Sequence, residues 1–345
     1  MRALRLTAWQ HEAELAEVAD PEPGPGEVVV KVGGAGLCHS DLHLIHDFEP
    51  GMMPWTMPFT LGHENAGWIE SVGAGVTGLD PGAPVAVYGA WGCGRCGRCL
   101  QGRENYCENR AEFRREGSGL GFDGGMAPRL LVPSARHLVP LENLDPVDAA
   151  PLTDAGLTPY HAIKRSLGLL VPGSTALVIG AGGLGHMAIQ ILAAVSATTV
   201  IAVDQSPDAL RLAQEVGAEH GVLAGDAAGS EIRELTKGRG TDLVLDFVGV
   251  DSTIALAVAV ARPLSDVTLV GIGMGSYPFS FITVPYEVSL ASTYWGSVTE
   301  LMEVVALAEA GKIRAHVERF SLDEAPKAYQ RMAAGDLRGR AVIVP

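Results

Sequence analysis

The sequence predicts an α/β protein in which a β-rich N-terminal domain precedes a doubly wound parallel sheet. The chain has 345 residues, which suits two domains of ordinary size that each bury a core. Residues 1 to about 150 carry short apolar runs between glycines and prolines, a pattern typical of short strands and frequent turns. Residues 153–294 alternate the patterns of buried strands and amphipathic helices, as a parallel sheet covered by helices does.

The composition excludes several classes of function. Hydrophobic residues make up 47% and charged residues 19%, as in a packed globular enzyme and unlike a disordered chain. The net charge of −15 disfavours nucleic acid and anionic membranes as partners, because both need basic surfaces. Neither a signal peptide nor a spanning helix is indicated, so we expect a cytoplasmic protein with no membrane partner. Four of the five cysteines lie between residues 93 and 107, which indicates metal ligands rather than disulfides.

The N-terminal domain carries a first candidate metal site. Cys38 offers a thiolate, and the hydroxyl of Ser40 can lie beside whatever a metal on that thiolate binds. At the end of a later apolar run, His63 can supply an imidazole to the same metal, and Glu64 can serve as a supporting carboxylate or an exchangeable ligand. A buried free cysteine and a structural histidine are the alternatives for each residue taken alone.

A second candidate metal site occupies residues 92–108. Its cysteines follow a C-x2-C-x2-C pattern and a fourth comes seven residues later: Cys93, Cys96, Cys99 and Cys107. Four thiolates fill a tetrahedral shell and leave no open position, so the zinc predicted here is structural. An iron–sulfur cluster is the alternative that four cysteines also allow.

A glycine turn lies at the centre of the second domain. The segment Val178–Asp204 contains a strand, the motif Gly180-x-Gly182-x-x-Gly185, a helix and a second strand. In a dinucleotide site these glycines allow the sharp turn, the close approach of a pyrophosphate and the packing of helix on strand. Asp204 can accept hydrogen bonds from a ribose diol and repels a 2′-phosphate, which favours NAD over NADP. A plain βαβ unit without a ligand is the alternative.

Local signals predict several later elements. Ser206-Pro207 predicts the start of a helix and Gly217 its end. Capping boxes at Ser297–Glu300 and Ser321–Glu324 predict two further helices, and residues 338–345 have the pattern of a final strand.

Two apolar residues follow predicted strands of the second domain. Val248 and Ile272 stand at the C-terminal ends of the strands within 241–249 and 266–273. Open α/β sheets bind ligands on that side. Both are candidates for walls of a nicotinamide site, with an ordinary core position as the alternative.

These motifs together resemble a known family. The pattern Gly62-His63-Glu64-x-x-Gly67-x5-Gly73-x-x-Val76 resembles the zinc signature of the medium-chain, zinc-dependent alcohol dehydrogenases. Cys38, the cysteine cluster, the glycine turn and the order of domains extend the resemblance over essentially the whole chain. It implies a GroES-like catalytic domain at 1–152, an NAD-binding Rossmann domain at 153–294 and a segment at 295–345 that returns to the catalytic domain.

The resemblance also implies a catalytic zinc and a reaction. Asp154 would complete a ligand set with Cys38 and His63, as in bacterial members of the family; an N-cap at the start of the next helix is the alternative role for Asp154. NAD would take hydride from a zinc-bound alkoxide, and the zinc ions would number two per chain. The proton would pass from Ser40 through the ribose hydroxyl to His43, with His46 as a less favoured terminus.

Further residues are implied around the cofactor. His39 would lie near the pyrophosphate and Thr158 near the nicotinamide. Gly183 and Leu184 belong to the glycine turn and would contact the phosphates with its other residues. Arg340 would reach the cofactor phosphates, with a solvated arginine as the alternative.

The substrate pocket implied by the resemblance is apolar. Trp55, Leu120, Tyr294 and Trp295 would line it, together with Ile272, which suits alkyl or aryl ketones and secondary alcohols. The closest resemblance is to actinobacterial NAD-dependent secondary alcohol dehydrogenases and carbonyl reductases. A polyol dehydrogenase and a non-catalytic NAD-binding protein are the alternatives. A homodimer or homotetramer, joined through the sheets of the cofactor domains, is expected.

Overall fold

The computed structural model describes residues 1–113 and 115–345. They form two compact units. The first unit comprises Met1–Leu157, Trp295–Ala310 and Ala315–Pro345, and the second comprises Thr158–Tyr294 and Gly311–Arg314. The sequence predicts domain borders after residues 152 and 294. The structure has its borders after residues 157 and 294.

Short elements dominate the N-terminal part of the first unit. They are β1 (Arg2–Leu6), β2 (Glu14–Glu17), β3 (Val28–Gly36), α1 (His39–Leu42), a π-helical turn (His43–Asp47), β4 (Phe59–Thr60), β5 (Glu64–Val72), β6 (Pro84–Val87), α2 (Gly97–Leu100), a 3-10 turn (Glu104–Tyr106), α3 (Arg110–Phe113), β7 (Gly117–Ser118), β8 (Gly121–Phe122), β9 (Arg129–Val132), a 3-10 turn (Ala135–His137), β10 (Leu138–Pro140), α4 (Pro146–Ala149) and a 3-10 turn (Ala150–Thr153).

Strands and helices alternate in the next part of the chain. They are α5 (Leu157–Arg165), a 3-10 turn (Leu167–Leu169), β11 (Thr175–Ile179), α6 (Gly185–Val195), β12 (Thr199–Asp204), α7 (Pro207–Glu215), β13 (His220–Leu223), α8 (Ala228–Leu235), β14 (Thr241–Asp246), α9 (Asp251–Val260), β15 (Ala261–Leu269) and β16 (Ser289–Ser292). The C-terminal elements are α10 (Val298–Glu309), β17 (Val317–Ser321), a 3-10 turn (Leu322–Glu324), α11 (Ala325–Ala333) and β18 (Arg340–Val344).

The main sheet of the first unit places the candidate metal ligands. Its strand order is β10-β6-β5-β3-β18-β17, and β9 also pairs with β3. Antiparallel pairing sets Gly36, at the end of β3, opposite Glu64, at the start of β5. Cys38 follows β3 and His63 precedes β5, so this register brings them to the same end of the sheet. β18 pairs with the end of β3 and carries the C-terminal segment to the same place.

The second unit is built on a six-stranded parallel sheet. Its order is β13-β12-β11-β14-β15-β16, which is 3-2-1-4-5-6 when counted from β11, the order of the Rossmann fold. Every residue of β11 is buried, as expected of a strand covered on both faces. The predicted fold class, a doubly wound parallel sheet beside a β-rich domain, is confirmed.

Local helix predictions are also confirmed. The Ser206 side chain accepts a hydrogen bond from Ala209 N at the start of α7, with Pro207 at the first helical position. The capping box of Ser297 and Glu300 precedes α10, and that of Ser321 and Glu324 precedes the turn leading into α11. Within the described part of the chain, no helix has the length and apolar character needed to cross a membrane.

Candidate active site

One end of the main sheet gathers four potential metal ligands. Ligand atoms of Cys38, His63, Glu64 and Asp154 all lie within 4.8 Å of one another, and all four residues are buried. Asp154 follows the 3-10 turn Ala150–Thr153, whereas α5 begins only at Leu157, so the structure does not place Asp154 at a helix N-cap.

The distances within this cluster fit a tetrahedral zinc site. Asp154 Oδ2 lies 3.7 Å from Cys38 Sγ and 3.7 Å from His63 Nε2. Usual zinc–ligand bond lengths give tetrahedral edges of about 3.4–3.6 Å between such atoms. The cluster contains two carboxyl groups, one thiol and one imidazole. Anionic donors are therefore in excess, and a divalent cation would neutralise them. Cys38, His63 and Asp154 are therefore suited to hold zinc, with Glu64 beside them.

Glu64 pairs with an arginine from the C-terminal strand. Arg340 Nε donates to Glu64 Oε2 at 3.0 Å, and Arg340 Nη2 makes a second, short contact with Glu64 Oε1. Burial raises the pKa of Glu64, and the guanidinium opposes that rise. Arg340 Nη2 also lies 3.8 Å from Asp154 Oδ2.

The structure places Arg340 beside Glu64, and its contact with the cofactor phosphates stays a prediction. Its side chain is buried, and it points toward Glu64 because β18 runs beside the end of β3. Without this guanidinium, the fully buried carboxyl group of Glu64 would lack a charged partner, which is costly.

The imidazole of His63 is held by two neighbours. Asp41 Oδ1 lies 3.3 Å from His63 Nδ1, which leaves Nε2 for the metal. Burial alone would lower the pKa of His63, but the carboxyl groups of Asp41 and Asp154 raise it well above its ordinary value. The Trp295 ring meets the His63 ring edge to face at 5.8 Å, and its N–H donates to the Thr153 carbonyl at 2.9 Å.

Asp41 is a residue of this cluster that the sequence analysis missed. An acid three residues after a candidate metal ligand was its only signal, and the same spacing occurs in ordinary helix caps. Its link to His63 depends on the pairing of β3 with β5, which local sequence does not reveal.

The cysteine lobe of the first unit forms a second metal site. Cys99 Sγ lies 3.8 Å from Cys93 Sγ and 3.4 Å from Cys96 Sγ, against about 3.8 Å for the edge of a tetrahedral zinc–thiolate shell. Cys107 completes a cluster in which all sulfur atoms lie within 4.8 Å of one another. Burial would raise the pKa of Cys93, but the backbone N–H groups of Arg95 and Cys96 lower it to about 6. The lobe therefore fits a structural zinc.

The glycine turn of the second unit has the geometry of a pyrophosphate cradle. Gly180 has φ +86°, and a Cβ at Gly185 would lie 1.9 Å from the Gly180 carbonyl oxygen, so neither position tolerates a side chain. A Cβ at Gly182 would meet no atom within 4 Å, which leaves open space for a ligand. Gly183 and Leu184 complete the turn before α6, whose N-terminus favours phosphate.

Asp204 stands at the end of β12, beside this turn. Its Oδ2 accepts from Ala181 N and its Oδ1 from Ser206 N, each at 2.8 Å. The carboxylate is half-buried, and each oxygen keeps a lone pair for a ribose hydroxyl. The turn, the helix and this acid together fit an adenine dinucleotide.

Comparison with known proteins agrees with both units. Family models described as "Alcohol dehydrogenase GroES-like domain" and "Zinc-binding dehydrogenase" match residues 24–143 and 183–310. An NAD-dependent alcohol dehydrogenase of Sulfurisphaera tokodaii is 36% identical, with 100% of both chains covered. The chain belongs to the zinc-dependent alcohol dehydrogenase family.

Two more distant relatives differ in what they act on. A D-arabinose 1-dehydrogenase (NADP(+)) of Saccharolobus solfataricus is 34% identical, over 100% of this chain and 97% of that protein. The structure of an acetophenone reductase from Geotrichum candidum, in complex with NAD, has a TM-score of 0.86 and 29% identity over 100% of this chain and 96% of that one.

Family membership confirms the predicted reaction class and cofactors of this alcohol dehydrogenase. It is an oxidoreductase that acts on CH–OH groups, with NAD as cofactor and two zinc ions per chain. A non-catalytic NAD-binding protein is thereby set aside. The individual site residues remain predictions, and the structure shows where each lies.

The predicted proton relay lies on α1 and the following π-helical turn. Ser40 and His43 are half-buried and three residues apart on this helical stretch, so their side chains share a face. His43 Nδ1 lies 2.5 Å from Asp47 Oδ2. His39 is exposed, and burial of part of its ring lowers its pKa. His46 is exposed as well.

The predicted pocket and nicotinamide residues fall in several places. In the first unit, Trp55 belongs to the main apolar core and Leu120 packs against it. In the second unit, Thr158 is buried in α5 and Tyr294 is half-buried after β16. Val248 and Ile272 are exposed by 38% and 48%, beyond the C-terminal ends of β14 and β15, so neither is a core residue.

Proposed function

We propose that this alcohol dehydrogenase interconverts secondary alcohols, alkyl or aryl, with their ketones. The observation that carries the proposal is the Trp295 ring, which lies edge to face on the metal ligand His63 at 5.8 Å. A large apolar surface beside the metal favours a substrate with carbon groups on both sides of the reacting atom. The apolar surroundings of Trp55 and Leu120 support the same substrate class.

The chain's own side chains divide the work of the reaction. When bound, zinc supplies a Lewis acid and NAD supplies the hydride acceptor. Cys38, His63 and Asp154 would hold the metal, and a set of three protein ligands would let it also bind the substrate oxygen. Trp295 excludes water from the side of His63 on which it packs.

We assign the proton pathway to Ser40 and His43. Ser40 Oγ accepts the hydroxyl proton of the substrate as it releases its own, and His43 Nε2 is the final acceptor at the edge of the site, because His43 Nδ1 is occupied by Asp47. Ser40→Ala is expected to lower kcat at neutral pH by about 100-fold or more while both zinc ions stay bound. Undiminished turnover by this variant at neutral pH would remove Ser40 from the pathway.

The substrate proposal is tested with alcohols matched in carbon number. Initial rates of NADH formation are compared for 2-butanol against 1-butanol and for 1-phenylethanol against 2-phenylethanol. We expect kcat/KM to be at least about tenfold higher for each secondary alcohol, equivalent to about 1.4 kcal/mol. Equal or higher values for the primary alcohols would contradict the proposal.

A polyol or sugar substrate is the second candidate, favoured by the relative named D-arabinose 1-dehydrogenase. A sugar site needs buried polar groups that pair with several hydroxyls, and it rejects analogues that lack them. The same assay with D-arabinose and sorbitol decides between the two. Higher kcat/KM for either of these than for 1-phenylethanol would favour the second candidate.

We also propose that two copies of the chain associate through the second unit. β16 is an edge strand of the six-stranded sheet, and edge strands offer unpaired backbone groups to a partner. The loop before it exposes four aromatic and aliphatic side chains, Phe279, Phe281, Ile282 and Tyr286. A hydrogen bond from Ser280 N to Thr283 Oγ1 at 2.7 Å orders this loop.

A cytoplasmic location is also part of the proposal. Four thiols that are kept free to bind a metal need a reducing compartment.

A further inference from the structure

A tyrosine of the C-terminal segment touches the support of the metal centre. Tyr329, on α11, is buried, and its hydroxyl donates to Asp41 Oδ2 at 3.0 Å. The same hydroxyl lies 3.3 Å from Met126 Sδ. The two residues that share this bond are 288 positions apart in the chain, so it is a tertiary contact and not part of the α1 cap.

Asp41 connects this tyrosine to two metal ligands. Its Oδ2 accepts from the backbone N–H of Cys38 at 3.1 Å, and its Oδ1 lies 3.3 Å from His63 Nδ1. One fully buried carboxyl group thus contacts the segment that carries the thiolate and the ring that carries the imidazole. Any rotation of this carboxyl group would move the oxygen that faces His63 Nδ1.

The hydroxyl of Tyr329 has a role that packing alone does not explain. Phenylalanine would fill the same apolar space without bringing a polar group that must be satisfied. Burial, followed by the nearby carboxylate of Asp41, raises the pKa of Tyr329 well above its ordinary value, so the hydroxyl stays protonated and donates. Oδ2 of Asp41 then receives two donors, from Tyr329 and from Cys38, which fixes the plane of the carboxyl group.

We infer that Tyr329 is a positioning residue of the catalytic metal centre, which acts by orienting Asp41 toward His63. The inference rests on the proposed function only in taking Cys38, His63 and Asp154 as the ligands of a zinc ion. Groups that orient a ligating histidine commonly change metal affinity by about 10- to 100-fold when removed. An effect of that size is expected for the Tyr329 hydroxyl.

The test is the release of metal from Tyr329→Phe. Zinc transfer to a chromogenic chelator is followed in the two-zinc protein, with the two sites assigned from a Cys107→Ser variant that weakens only the structural site. We expect the catalytic zinc to leave about 10- to 100-fold faster and the structural zinc to leave at the wild-type rate. In the protein with cobalt at the catalytic site, the visible ligand-field bands should shift, which a change in packing elsewhere would not cause.

Two further variants separate the hydrogen bond from the packing. Met126→Leu removes the other neighbour of the hydroxyl with little change in volume, and metal release should stay at the wild-type rate. Asp41→Asn should itself speed the release of the catalytic zinc. Adding Tyr329→Phe to Asp41→Asn should then have little further effect, because the two residues act in one chain of contacts. The Asp41→Asn variant supplies the same readouts if Tyr329→Phe does not accumulate.

Three results would overturn the inference. They are release of the catalytic zinc at the wild-type rate with unchanged cobalt bands, equal acceleration at both sites, and full additivity of the two substitutions. None of these readouts needs an alcohol. A protein that releases metal as expected but turns over no secondary alcohol would therefore keep the inference and refute the substrate proposal.

Discussion

At the scale of the residue, the candidate catalytic site depends on how buried charges are partnered. Asp41, Glu64, Asp154 and Arg340 are all buried at one end of a sheet. Isolated charges at such depth would be strongly unfavourable. Arg340 pairs with Glu64, and the His63 imidazole faces Asp41. A divalent cation would neutralise Asp154. This arrangement makes the role of each residue separable by substitution.

Asp154→Ala tests the ligand set directly. The variant should lose the zinc ion held with Cys38 and His63 and keep the one in the cysteine lobe, because the two sites share no residue. Elemental analysis should fall from two zinc ions per chain to one. The value of kcat/KM should fall by about 1,000-fold or more, since the metal contributes several kcal/mol to the transition state.

The control for this prediction is Asp148→Ala. Asp148 is half-exposed and pairs with Arg319 at the surface, so both zinc ions should remain. If Asp154→Ala retained both metals with wild-type affinity, Asp154 would not be a ligand.

Asp204→Asn tests the origin of the NAD preference. The amide keeps an oxygen for the backbone N–H groups of Ala181 or Ser206 but removes the charge that repels a 2′-phosphate. The ratio of kcat/KM with NAD to that with NADP should fall by about 10- to 100-fold, or roughly 1.4–2.7 kcal/mol. Steady-state rates with both cofactors and one alcohol give this ratio.

A nearby acid provides the matched control. Asp208, on α7, is exposed and pairs with Arg211, so Asp208→Asn should leave the ratio unchanged. Equal ratios for the wild type and Asp204→Asn would mean that another group selects the cofactor.

At the scale of the element, the sequence predicts those features that depend on residues close together in the chain. The starts of α7 and α10 follow from Ser206-Pro207 and from the capping box of Ser297, because these signals act within one helical turn. The motifs that contain Cys38, His63 and the four cysteines of the lobe are local in the same way, whereas Asp154 was implied only by the family resemblance.

Long-range pairing was not predictable in this way. Arg340 and Glu64 are separated by 276 positions, and they meet only because β18 pairs with β3 and β3 with β5. Periodicity identifies a strand but not its neighbour, so neither the pairing of Arg340 with Glu64 nor the contact of Tyr329 with Asp41 was foreseen.

The cysteine lobe shows a similar long-range anchor, which makes its stability dependent on pH. The buried carboxylate of Glu104 accepts from Arg136 Nε at 2.6 Å, lies 3.1 Å from His137 Nε2 and accepts from Gly92 N. Burial would raise the pKa of Glu104, but His137 and Arg136 lower it from 4.5 to about 2. The carboxylate therefore stabilises the fold above the unfolded-state pKa, and this contribution declines as the pH falls from about 5 toward 2.

Glu104→Gln tests this anchor. The free energy of unfolding at pH 7, from denaturant titration, should fall by about 3 kcal/mol. The difference from the wild type should be constant between pH 8 and pH 5.5 and shrink below pH 4.5. Glu112→Gln, at an exposed position on α3, should change little at any pH. A difference that grows toward acid would contradict the assigned direction.

At the scale of the whole molecule, the exposed apolar loop before β16 predicts self-association. Ile282 is 88% exposed and Phe281 80%. The chain has a net charge of −15, so a cluster of exposed apolar side chains beside an edge strand stands out from the rest of its surface. Such a cluster indicates a contact surface. Two edges that meet here would continue the six-stranded sheet from one copy into the next.

Ile282→Lys is therefore expected to shift the protein toward the monomer. Each of the two copies would contribute one lysine to the contact, and burying these unpaired charges is unfavourable. Sedimentation equilibrium should give a mass near 36.1 kDa for this variant and an integral multiple of it for the wild type. Leu223→Lys is the matched control: it carries the same change on β13, the opposite edge of the same sheet, where the side chain is 55% exposed. A monomeric wild type, or equal dissociation by both variants, would show that the loop before β16 is not the contact.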